Sequence, residues 1–97
     1  MTFKMKVADI FRMGKITIFA GDLYTDIKII TETKCYISVD GIIIGEVMIL
    51  GEMQIGKPER DLVTKSPLTL TRETVRNHEV WLIGGAENKN HPIQLDL

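Results

Sequence analysis

The stretch DGIIIGEVMILGEMQIG, residues 40–56, decides the fold because its apolar residues recur with a period of two. From 43 to 55 every odd position is apolar or glycine, whereas the even positions carry aliphatic residues and methionine together with two glutamates and a glutamine. Side chains of a strand point alternately to opposite faces. The pattern therefore predicts one long strand, with its odd residues in the core and its even residues outside. Asp40-Gly41, directly before it, is typical of a tight hairpin turn.

The glycines and glutamates of this stretch are more consistent with a bent strand than with a ligand site. Gly45 and Gly51 fall on the predicted core face, where a large neighbour such as Trp81 or Phe19 would fill the space. Glu46 and Glu52 are predicted to share the outer face, roughly 20 Å apart at about 3.3 Å per residue. Two carboxylates so far apart cannot act as a general acid/base pair.

The rest of the chain continues the short-strand pattern. Apolar alternation and β-branched residues predict further strands at 4–12, 16–20, 27–30, 35–39, 67–71, 79–85 and 91–97. Breaks are predicted at Met13-Gly14-Lys15 and at Gly21-Asp22, and a polar loop at 57–65. Residues 71–77 can form one helical turn capped by Thr71, too short to pack as a helix. We expect an all-β fold, a small six- to seven-stranded closed or partly open barrel or else a sandwich, with residues 1–97 as a single domain.

The composition disfavours nucleic-acid-binding, secreted and membrane proteins. The net charge is −1, with six basic and six acidic residues in the first fifty and six and seven in the remainder, so no basic stripe marks a nucleic-acid binder. The single cysteine, Cys35, fits a reducing compartment. No secretory signal and no apolar run long enough to span a bilayer are apparent. We therefore expect a cytoplasmic protein without membrane partners.

No residue pattern in the sequence indicates catalysis. The glycines precede no helix and lack the lysine and threonine of a phosphate loop, and no histidine or cysteine has metal-ligand spacing. His78 is expected to be a loop residue, and Cys35 a buried thiol rather than a nucleophile. The sequence thus predicts no enzyme, no cofactor and no metal.

Residues 11–23, FRMGKITIFAGDL, resemble the opening of the second domain of translation GTPases of the elongation factor Tu type. Gly14, Thr17, Ile18 and Gly21 fall where that family has glycine, threonine, an aliphatic residue and glycine, while Ile16 replaces a second glycine. The resemblance implies a translation-protein-type β-barrel. In that family the barrel packs against a GTPase domain and helps to hold the aminoacyl end of tRNA.

The favoured function is a stand-alone, non-catalytic barrel that binds a protein partner or forms a homodimer. The outer face of the strand after Asp40 is more apolar than a solvated face requires. Its predicted partner-binding residues, with the rim of the 57–65 loop, are Ile42, Ile44, Glu46, Met48, Leu50, Lys57 and Arg60. The alternative, drawn from the resemblance, is a translation-associated barrel contacting RNA or a GTPase partner. RNA is the less favoured partner, and its candidate contacts are Arg12, Lys15, Lys28, Tyr24 and Tyr36. A small enzyme, or a carrier of a small molecule inside the barrel, is a third hypothesis.

Overall fold

The computed structural model of the chain describes residues 2–53 and 60–85. Within these ranges it contains six strands and one short helix. They are β1 (Phe3–Met13), β2 (Ile16–Tyr24), β3 (Thr33–Val39), β4 (Ile42–Met53), β5 (Asp61–Thr64), α1 (Arg72–Asn77) and β6 (Val80–Gly84).

All strand pairs are antiparallel, and the sheet closes on itself. The order is β1-β2-β5-β4-β3-β6, and β6 pairs back to β1. The all-β fold and its closed six-stranded sheet are therefore confirmed. The Asp40-Gly41 hairpin is also confirmed, since both residues have positive φ, 50° and 87°, as a two-residue turn between twisted strands requires.

A β-bulge explains the imperfect alternation of β1. Its register against β2 shifts between Val7 and Asp9, so the inward face passes from Val7 to Ile10 and both side chains are buried. Gly21 lies opposite Val7, and a side chain there would overlap the Lys6 carbonyl oxygen. The predicted break at Gly21-Asp22 is wrong, because β2 continues through this close approach to Tyr24.

β4 follows the predicted alternation only as far as Ile49. Val47 and Ile49 are buried, as expected for odd positions. The register against β5 then shifts between Ile49 and Gly51, which turns the Glu52 side chain inward to 4% exposure, whereas Glu46 stays outside. The prediction that both glutamates share the outer face is therefore wrong for Glu52.

The predicted neighbours of the two β4 glycines are also wrong. A side chain at Gly45 would meet no atom within 4 Å, and one at Gly51 would contact the Ile30 carbonyl oxygen at 3.5 Å. Neither glycine makes room for Trp81 or Phe19.

The predicted strands at 27–30 and 67–71 are not strands, and β5 lies inside the predicted 57–65 loop. The two segments instead close opposite ends of the barrel. Residues 25–32, which we call the first end segment, link β2 to β3 and bury Ile30. Residues 65–77, the second end segment, follow β5 and bury Leu70. A buried aliphatic residue in each segment produces the apolar signal without strand pairing.

The short helix α1 does pack, contrary to expectation. Thr71 caps it as predicted by accepting a hydrogen bond from the Thr74 backbone N–H, and Val75 is buried in the core. One inward-facing valine is enough to hold a helix of six residues against β1. The strand predicted at 91–97 lies outside the described residues.

Candidate functional site

The predicted partner-binding residues of β4 are all exposed, and the register of the strand against β3 shifts beside Ile44. Ile42 is 67% exposed, Ile44 53%, Met48 42% and Leu50 40%, and the Glu46 side chain is 54% exposed. We call these five residues the β4 outer face. Single exposed apolar side chains are common on protein surfaces, but four in a row on one strand form a patch of the kind that marks interaction sites.

One ion pair lies in the middle of the β4 outer face. The Lys34 ammonium on β3 is 3.4 Å from the Glu46 carboxylate, and both side chains are more than half exposed. Lys34 also lies 5.9 Å from the ring centroid of Tyr36, the residue paired with Glu46. An exposed pair of this kind contributes little stability, so it leaves the face available for binding.

The first half of β4 also has an open backbone edge. β4 pairs with β3 from Ile42 to Ile49, but with β5 only from Ile49 onward. The Met48 N–H donates to Ser66 Oγ at 3.0 Å, so the Met48 backbone points away from β3. Backbone direction alternates along an antiparallel ladder, and Glu46 therefore points the same way. No backbone partner occupies this side of residues 42–47 in the part of the chain that the structure describes.

Arg60, predicted at the rim of the site, is held against the first end segment, with its side chain 26% exposed. Its guanidinium donates to the Ile27 carbonyl at 2.9 Å and the Lys28 carbonyl at 3.1 Å, and forms a two-pronged bond with the Glu52 carboxylate at 2.8 and 3.0 Å. The same carboxylate accepts the Ile30 backbone N–H. Arg60 thus fastens the first end segment. Lys57, the other predicted rim residue, lies outside the described residues.

The electrostatics of this contact are favourable for both partners. Hydrogen bonding to Arg60 lowers the pKa of Glu52, and the Ile30 N–H adds to the effect, whereas burial opposes it. The Glu52 carboxylate correspondingly raises the pKa of Arg60. Sequence reasoning missed this pair because the bulge at Leu50, which turns Glu52 inward, has no signature in the residue types.

The second end segment has its own arginine contacts. Arg12 donates to the Leu70 carbonyl at 2.6 Å and to Thr17 Oγ1 at 3.0 Å. Arg72 donates two hydrogen bonds to the Asp9 carboxylate, at 2.8 and 2.9 Å. Hydrogen bonding to Arg72 is the main cause that lowers the pKa of Asp9 to about 2.

The candidate RNA contacts do not form one surface row. Arg12 is engaged at the second end of the barrel, and Lys28 belongs to the segment at the first end. Tyr24 lies beside Trp81, with ring centroids 5.9 Å apart, and Lys4 lies 5.4 Å from the same Trp81 ring. Tyr36 is two strands from Lys4, across β6.

The other side chains that could take part in chemistry, Cys35 and His78, lie where their roles are structural. Cys35 is fully buried, which raises the pKa of its thiol to about 12 and makes it unreactive at neutral pH. His78 Nδ1 lies 2.7 Å from Asp40 Oδ2, and the other Asp40 oxygen accepts the Glu79 N–H at 2.9 Å. Across residues 2–53 and 60–85, no group of three side chains is arranged to hold a metal ion, and no helix is long and apolar enough to cross a membrane.

Comparison of the chain with protein-family models, with curated proteins and with solved structures finds no match. The resemblance of residues 11–23 to the translation GTPases therefore stays a prediction.

Proposed function

We propose that the protein is a non-catalytic β-barrel module that binds protein through the β4 outer face, and that its partner is a second copy of the chain. The observation that carries the proposal is the row of four large apolar side chains, each 40–67% exposed, on a single strand. Burying apolar surface stabilises an association by about 25 cal/mol per Å². A partner that covers this row therefore removes the largest exposed apolar side chains of β4 from water.

The charge of Glu46 favours one geometry of association over another. Strand addition along the open edge, centred on Glu46, would place the two glutamates directly opposite each other, and like charges so placed are destabilising. Packing of one β4 outer face on the other avoids this contact. Each Glu46 then keeps its own Lys34, 3.4 Å away, which balances its charge within the contact.

The test is the molar mass by size-exclusion chromatography with light scattering, from about 10 μM to about 1 mM, a range that covers weak association. We expect a dimer in the wild type and a monomer in Ile44→Lys. Because Ile44 is 53% exposed, its replacement should leave the monomer folded, and the melting temperature should fall only by the contribution of the lost association. The matched control is Ile29→Lys, since Ile29 is 49% exposed on the first end segment; this variant should remain a dimer.

A wild-type monomer over the whole range would exclude the second copy. Loss of the dimer in Ile29→Lys as well as in Ile44→Lys would show that added charge, rather than the β4 outer face, controls association.

A further inference from the structure

A cavity of about 430 Å³ opens between β1 and the start of α1, away from the β4 outer face. Its walls are Ile10, Phe11, Arg12, Thr71 and Arg72. Its volume lies within the range of roughly 300–1,000 Å³ occupied by small-molecule pockets. We call it the Phe11–Arg72 cleft.

The cleft carries an excess of positive charge. Arg12 and Arg72 line it, and Arg76 reaches to 3.9 Å from the carboxylate of Asp9, the acid bound by Arg72. With Asp9 and Glu73 counted as well, the three guanidinium groups leave a local charge of +1 (3 − 2), in a chain whose net charge is −1. Glu73, on the same helix, is exposed to solvent.

The two lining arginines keep hydrogen-bond donors for a ligand. A guanidinium has five N–H groups. Arg72 uses two of them for Asp9, and Arg12 uses two for Thr17 and Leu70. Three N–H groups on each arginine (5 − 2) therefore have no partner among the described residues. Guanidinium donors match the oxygens of phosphate and carboxylate groups in pairs.

An apolar surface lies beside these donors. Phe11 is 42% exposed, although the Arg72 guanidinium lies 5.4 Å from its ring centroid. The exposed part of the ring can contact the flat or apolar body of a ligand, while the arginines contact its charged group. We propose that the Phe11–Arg72 cleft binds a phosphate monoester carried on a flat ring. A monoester offers three acceptor oxygens, more than a carboxylate has, to the N–H groups that Arg12 and Arg72 leave without a partner.

The test is a titration followed by amide chemical shifts of residues 10–12 and 71–72, with phenyl phosphate, inorganic phosphate and phenol as probes. Phenyl phosphate should saturate these shifts with a dissociation constant on the order of 1 mM. Inorganic phosphate should bind several-fold more weakly because it lacks the ring, and phenol should produce no saturating shift. A phosphotyrosine peptide distinguishes a peptide-borne ester from a free one: tighter binding than phenyl phosphate would indicate the peptide, and weaker binding the free ester.

Arg72→Gln should weaken the binding of phenyl phosphate about ten-fold through the loss of charge-assisted donors, and Arg76→Gln about two-fold through the loss of one positive charge near the cleft. Arg76 is 61% exposed and its contact with Asp9 is long, so Arg76→Gln tests the proposal even if Arg72→Gln does not fold. The control is Lys28→Gln, an exposed lysine at the opposite end of the barrel, which should bind normally. Absence of saturation by phenyl phosphate up to about 10 mM, or equal weakening in Lys28→Gln and Arg76→Gln, would overturn the proposal.

Discussion

Each end of the barrel is closed by a segment that an arginine holds in place, but the ion pair is more deeply buried at the first end than at the second. At each end a segment outside the sheet buries aliphatic side chains, Ile30 at the first end and Leu70 and Val75 at the second, and an arginine donates to a carbonyl of that segment. At the first end the arginine is Arg60, whose ion-pair partner Glu52 is only 4% exposed. At the second end Arg12 contacts the carbonyl, while the ion pair of Arg72 lies near solvent.

This difference in depth determines how much each end depends on its polar contacts. A buried carboxylate has lost its water and relies on protein donors, so removing one partner leaves the other without compensation. An exposed ion pair can exchange its partner for water at little cost. We therefore expect the first end to be sensitive to single substitutions and the second end to tolerate them.

The largest effect is expected for Glu52→Ala, which leaves Arg60 without its carboxylate and the Ile30 N–H without its acceptor. We expect a loss of about 2–4 kcal/mol in the free energy of unfolding, measured by urea denaturation. The control is Glu46→Ala on the same strand, where the exposed pair with Lys34 should contribute less than about 0.5 kcal/mol. Similar losses in the two variants would contradict the inward position of Glu52.

The sequence predicts the strands of this molecule better than its ends. Alternation in β1, β3, β4 and β6 and the Asp40-Gly41 dipeptide are local signals, and they identified strands and the hairpin correctly. The bulges at Ala8 and Leu50 depend on pairing with distant strands. Each changes the face on which later residues lie, so Glu52 could not be placed from parity.

The strands predicted in the two end segments were wrong for a related reason. IKII and PLTLT carry the apolar content of strands, but their backbone groups bond to side chains of other elements, as the Ile30 N–H does to Glu52. Such contacts link residues more than twenty positions apart and leave no trace in composition. The exposure of Ile42, Ile44, Glu46, Met48 and Leu50, by contrast, agrees with the parity of the sequence, while their role in binding a partner stays a prediction. The Phe11–Arg72 cleft was missed because α1 brings Arg72 to β1 only in the folded chain.

A smaller effect is expected at the second end for Arg12→Ala. The substitution removes one donor from the Leu70 carbonyl and one from Thr17 Oγ1. Because Arg12 is exposed, water can reach the vacated carbonyl, and we expect a loss of about 1 kcal/mol in the free energy of unfolding, again by urea denaturation. A loss as large as that of Glu52→Ala would show that the two ends depend equally on their arginines.

The smallest effect is expected for Asp9→Asn; the loss of stability should be present at neutral pH and should vanish in acid, where wild-type Asp9 is protonated as well. Hydrogen bonding to Arg72 lowers the pKa of Asp9 from 3.8 to about 2 in the folded protein. A carboxyl whose folded pKa is lowered stabilises the fold above its unfolded pKa, and this contribution is lost as the pH falls toward the folded value. The wild type should therefore lose stability between about pH 4 and pH 2, partly through Asp9.

The measurement is the melting temperature of wild type, Asp9→Asn and Arg72→Gln from pH 5 to pH 2. Both variants should show a shallower decline than the wild type below pH 4, since each removes the interaction that lowers the pKa. The melting temperature of the double variant should fall with pH as steeply as that of either single variant, because the two side chains act as one pair. An unchanged acid slope in Asp9→Asn would mean that the acid sensitivity of the fold lies with the other carboxylates whose pKa is lowered, Glu52 at the first end and Asp40 in the turn between β3 and β4.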